Sequence, residues 1–94
     1  MSHRLSCGTV RDTPRHPIYV VRVHDEILSL IEIDDIATRM RERLAHRGEL
    51  AADVVVVQGS GKETLRLFGG SYSVGLVRAA MFNAAVSWAP IDLG

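Results

Sequence analysis

Val54, Val55, Val56 and Val57 stand in an unbroken row, followed by a Gln-Gly-Ser-Gly-Lys break and a second apolar run ending at Phe68. A continuous β-branched run implies burial on both faces, so the valines are expected to form a central strand. The glycines turn the chain back on itself, and residues 53–68 read as a β-hairpin. On its second strand Leu65 and Leu67 point one way, and Thr64, Arg66 and Phe68 the other. Everything else can be placed as cover for this ribbon.

Ahead of the hairpin, residues 1–17 are polar, with Arg4, Arg11 and Arg15 against Asp12 and two prolines. They read as a flexible basic arm, and residues 18–94 as a single domain. The run IYVVRV at residues 18–23 is rich in β-branched and aromatic side chains and is expected to be a strand. His24, Asp25 and Glu26 interrupt it, and residues 27–33 (ILSLIEI) resume it, as one bent strand or as a tight hairpin of two. Asp34 then offers an N-cap, with Asp35 adding favourable charge at the positive end of a helix. Ile36, Met40 and Leu44 give that helix one apolar stripe, and Gly48 stops it.

Past the hairpin, Gly69 and Gly70 break the chain and Ser71 can cap a second helix over about residues 72–85. Val74, Val77, Met81 and Ala84 form its apolar stripe. Gly75, Arg78 and Phe82 fall on the opposite side, which points to a second contact with another subunit. Residues 86–93 alternate like a short last strand, with Pro90 confining it to an edge. The order matches an α+β domain: an antiparallel sheet of four to five strands with two helices on one face, the ferredoxin-like split β-α-β arrangement. The alternative is ββαββα with an N-terminal hairpin.

Composition narrows the function classes. In this chain of 94 residues, eleven basic and eleven acidic side chains cancel, which argues against attachment to nucleic acid by bulk charge and favours self-association. Cys7 is the single cysteine, so no internal disulfide and no cysteine metal cage is expected, and a reducing cytoplasmic setting is the default. No apolar run approaches the roughly 20 residues of a membrane helix.

Gly59-Ser60-Gly61-Lys62 follows a strand, as a phosphate-binding loop would, but Val56 stands where that motif's first glycine belongs and Glu63 where its Ser/Thr belongs. A hairpin loop accounts for the glycines. His24, Asp25 and Glu26 are metal-capable types, yet neighbours on a strand diverge and share one ion poorly. No catalytic, cofactor or metal set is assigned.

Arg39, Arg43 and Arg47 recur every fourth residue along the first helix and form a ridge suited to phosphates or an acidic partner. Arg22, Arg66 and Phe68 would share the open sheet face, where RNA recognition motifs place cations and stacking aromatics. Here only Tyr19 or Trp88 could join Phe68, so the resemblance is one of layout alone.

The leading expectation is a small non-enzymatic interaction or regulatory module that binds another protein and forms a homo-oligomer, first of all a dimer. Arg39, Arg43, Arg47, Arg22 and Arg66 are the candidate partner-binding residues, and Phe68, Phe82, Gly75 and Arg78 those for self-association. A nucleic-acid binder using the arginine ridge or the sheet face is the alternative. A small dimeric enzyme with a pocket between sheet and helices is a further one, for which His24 with Asp25 or Glu26 is the only sequence-local candidate.

Overall fold

The computed structural model describes residues 4–11, 13, 15–24, 28–49, 52–58, 64–68, 72–83 and 86–93, with the backbone alone at 64–68, 82 and 83. In chain order the elements are β1 (Leu5–Val10), β2 (Ile18–Val23), α1 (Leu30–His46), β3 (Asp53–Gln58), β4 (Thr64–Phe68), α2 (Val74–Asn83) and β5 (Ala89–Ile91). The strands form one sheet in the order β4-β3-β2-β1-β5.

The molecule is α+β with a mixed sheet and two helices. β1 pairs antiparallel with β2 and with β5, and β3 pairs antiparallel with β4. β2 and β3 lie side by side in parallel, joined through α1. The split β-α-β expectation therefore does not hold, because no strand separates the pair that α1 connects. The ββαββα alternative has the right order up to α2, but its hairpin is built from β1 and β2, not from residues 18–33.

Pleat alternation divides the core in two. Tyr19, Val21, Val23, Val54 and Val56 pack with Leu5 and the apolar stripe of α1. Ile18, Val20, Val55 and Val57 pack with Val10, Tyr72 and Val77, and with partly buried Ala80, Met81 and Trp88. The helices thus cover opposite faces rather than one. That explains the valine row: β3 is buried at all six positions, as a strand covered on both sides must be. The expected β3–β4 hairpin is present, with Val54 opposite Phe68 and Val57 opposite Leu65. Its glycine-rich turn, residues 59–63, lies outside the described residues.

Two further expectations change. Residues 5–10, assigned to the arm, form β1 between β2 and β5, with Leu5 and Val10 buried. Prolines and arginines hid a strand whose own apolar content is modest; its partners supply the burial. Residues 30–33, assigned to a strand, open α1. Ser29 is its N-cap in place of Asp34: the Ser29 hydroxyl accepts from the Glu32 amide at 3.3 Å, and the Glu32 carboxylate accepts from the Ser29 amide. This reciprocal box outweighs the β preference of isoleucine. Ile33, Ile36, Ala37, Met40 and Leu44 then form the buried stripe.

The helix ends as expected at Gly48, whose φ of 80° suits glycine. The Gly48 amide donates to the Ala45 carbonyl and the Glu49 amide to the Leu44 carbonyl, closing a Schellman motif. We expect Ser29→Ala to lower unfolding free energy by about 1 kcal/mol. Asp34→Ala should stay within about 0.5 kcal/mol, since Asp34 is exposed. Urea midpoints of the two variants decide which residue caps.

α2 begins after Ser73, whose hydroxyl accepts from the Leu76 amide at 3.2 Å. The expected cap, Ser71, lies outside the described residues. No helix among the described residues is long and apolar enough to cross a membrane.

Candidate functional site

The arginine ridge divides along its length. Arg39 ion-pairs with Asp35 one turn earlier, at 3.0 Å, and donates to the Leu93 carbonyl at 3.3 Å. Arg43 donates to the Asp92 carbonyl at 2.9 Å. Two of the three arginines therefore hold the chain's own segment after β5 against α1. The groove they share with that segment has a volume of about 590 Å³, and three acids, Asp35, Glu42 and Asp92, also line it.

Around the helix, Arg43 turns toward a second cavity of about 570 Å³ between the last turns of α1, the sheet and β5. Cys7 and Thr9 of β1, Arg11 just beyond it, and Tyr19 of β2 reach this cavity, with Arg43, Arg47 and Glu49 around it. β1 and β2 position Cys7, Thr9 and Tyr19 because odd-numbered residues of both strands serve the α1 face. The Schellman turn places Glu49 next to Arg47. Arg11, Arg43 and Arg47 thus line one cavity in which Glu49 is the single acid among the described residues.

The electrostatics are internally coupled. Burial pushes the Cys7 thiol up, and the Arg43 and Arg47 charges only partly offset this, so it stays protonated. Burial also raises the Tyr19 phenol, reinforced by its hydrogen bond to Glu49 and that carboxylate's charge, while Arg11 acts the other way. The Tyr19 hydroxyl donates to Glu49 Oε1. None of Arg11, Arg43 and Arg47 closes a salt bridge among the described residues. The arrangement offers guanidinium donors to an incoming anion, with an acceptor at its side.

A second polar cluster lies on the other face, where the turn before β2 meets α2. The Tyr72 hydroxyl accepts from the amides of Arg15 and His16, at 2.9 and 2.8 Å, and donates to the His16 carbonyl. Thr13 donates to the same carbonyl. Burial pushes the Tyr72 phenol up, but hydrogen bonds with His16, Thr13 and Arg15, and the Arg15 charge, bring it below the ordinary tyrosine value. His16 Nε2 lies 3.6 Å from Asp53 Oδ1, and the Asp53 side chain is only 1% exposed. His16, within the segment expected to be a flexible arm, is packed against Tyr72, ring centroids 5.0 Å apart.

The remaining expected residues scatter. Arg22 is not on an open face: the chain at 86–88 covers it, and its guanidinium sits 4.5 Å from the centre of the Trp88 ring. Arg66 and Phe68 pair with Val56 and Val54, so register sets them apart from Arg22. Their side chains lie outside the described residues, as does that of Phe82. Gly75 and Arg78 are exposed on α2, beside exposed Val74 and Leu76. His24 is exposed and bonds the Ser6 hydroxyl at 2.7 Å, while Asp25 and Glu26 lie outside the described residues.

Of the expected residues whose side chains are described, Arg43 and Arg47 come together at the cavity. Arg11, Tyr19 and Glu49 were not anticipated, because strand pairing and the helix cap bring them in from three separate segments. Comparison with protein families, with curated proteins and with solved structures finds no match to the chain.

Proposed function

We propose that the chain is a small non-enzymatic binding module that works through protein-protein contact and takes an acidic segment of its partner at the Arg11, Arg43 and Arg47 cavity. The observation that carries this reading is that three arginines line one cavity against a single carboxylate among the described residues. Guanidinium pairs with carboxylate and phosphoryl oxygens through two parallel donors, which gives geometric selection as well as attraction. In the neighbouring groove Arg39 is paired with Asp35 and donates to the Leu93 carbonyl, and Asp35, Glu42 and Asp92 line it, so that surface offers less to an anion.

Binding of a fluorescent glutamate-rich peptide, followed by anisotropy, tests the reading. Arg11→Ala and Arg47→Ala should each weaken it by about tenfold or more, the loss expected for one hydrogen bond to a charged group. Rising salt should weaken it further. Both positions are exposed, so the variants should keep their far-ultraviolet dichroism. Equal affinity in wild type and both variants would remove the cavity from the proposal.

A further inference from the structure

Resting on that reading, we infer that the acidic group seated in the cavity is a phosphoryl group borne by the partner's segment, rather than a carboxylate.

The charge balance around the cavity is the first ground. Among the described residues that line it, Arg11, Arg43 and Arg47 are positive, Glu49 is negative, and the partly buried Cys7 thiol is neutral. The C-terminal end of α1 adds roughly half a negative charge. About one and a half positive charges are left to be met. A phosphomonoester carries about −1.5 to −2 near neutral pH and meets them. A single carboxylate leaves about half a positive charge unmet.

Directionality is the second ground. Arg43 and Arg47 stand one helical turn apart on α1, while Arg11 enters from the end of β1. A carboxylate presents its two oxygens, and their lone pairs, in one plane. A phosphoryl group presents three oxygens around a tetrahedron and can accept from donors on separate elements. The bond from Arg43 to the Asp92 carbonyl uses one terminal nitrogen and anchors that side chain beside the cavity, which lowers the ordering cost of binding. The second oxygen of Glu49 can accept an amide N–H of the peptide carrying the phosphate.

The test uses the full chain and three probes: a labelled phosphoserine peptide with alanine flanks, the same peptide with glutamate in place of phosphoserine, and inorganic phosphate. The phosphopeptide should bind at least about tenfold more tightly than the glutamate peptide. Its affinity should rise as pH increases through about 6, where the second phosphate proton leaves. Arg47→Ala and Arg11→Ala should erase the preference, and Arg47→Lys should restore only part of it, keeping charge without the fork. Equal binding of the two peptides overturns the phosphoryl assignment while leaving an acidic-segment module intact. Binding of neither peptide removes both. Inorganic phosphate binding as tightly as the phosphopeptide overturns the partner-borne form, since the flanking chain would then contribute nothing.

Discussion

Leu44→Ala is expected to lower unfolding free energy by about 3 kcal/mol, the usual cost of emptying a leucine-sized volume from a close-packed interior. Leu44 is 1% exposed and belongs to the cluster that joins α1 to Val54 and Val56. Its backbone carbonyl accepts from the Arg47 and Glu49 amides, so the collapse that would fill the cavity is resisted by the helix cap. A domain of this size holds about 5–15 kcal/mol in total, and the loss is a large share of it. The control is Ile31→Ser on the same helix. Ile31 is 81% exposed, and its replacement should change stability by no more than about 0.5 kcal/mol. Denaturant midpoints at unchanged slope measure both. Comparable losses would mean that α1 docks through a different stripe.

That pair of residues shows what could be read from the chain before any coordinates. Spacing placed Ile36, Met40 and Leu44 on the buried stripe, because a helix repeats every 3.6 residues whatever it packs against. The same reasoning found β3, whose burial on both faces follows from four valines in a row. It failed at residues 30–33, where local β preference and a capping box compete and the box wins. It failed for β1 as well. Leu5 and Val10 are an ordinary pattern in a polar neighbourhood, and only pairing with β2 on one side and β5 on the other makes a strand of them. Which face each helix covers is a property of the crossover between β2 and β3, and no periodicity encodes that.

The site was less legible than the fold for a related reason. Arg43 and Arg47 could be paired from sequence because they lie on one helix. Arg11 joins them through strand order, and Glu49 through a turn, so neither carries a local signal. The ridge reading also assumed that like-facing arginines act together. In the structure Arg39 and Arg43 bind carbonyls of the chain's own segment, and only Arg43 and Arg47 reach the cavity beyond it, so the ridge does not act as one surface. Asp53, His16 and Tyr72 make the same point on the opposite face: three titratable groups from distant segments meet only because the turn before β2 is fastened to α2.

Gly8→Val should destabilise the fold by about 3 kcal/mol and, in the same sample, move the emission of Trp88 to longer wavelength. Gly8 lies in the interior of β1, where glycine ordinarily costs about 0.5–1 kcal/mol relative to alanine. A strand that spends this has a reason in close approach. A Cβ built on Gly8 falls 2.2 Å from Val86 Cγ1 and 3.2 Å from Trp88 Cε3, so the chain at 86–88 crosses directly over this backbone. Val86 is β-branched and cannot swing its methyl aside by a change of rotamer without loss. Trp88 is held over Arg22 and is packed against the cluster under α2. Relief must therefore come from lifting the segment, which exposes the indole. Trp88 is the single tryptophan of the chain, so its emission reports this segment alone. Gly8→Ala should show a smaller loss, about 1–2 kcal/mol, because overpacking by one methyl outweighs the gain in strand preference. Adding Val86→Ala to Gly8→Ala should recover part of the loss, since the two side chains compete for one volume and their effects cannot add. A Gly8→Ala variant more stable than wild type, with unshifted emission, would place residues 86–88 elsewhere than over β1.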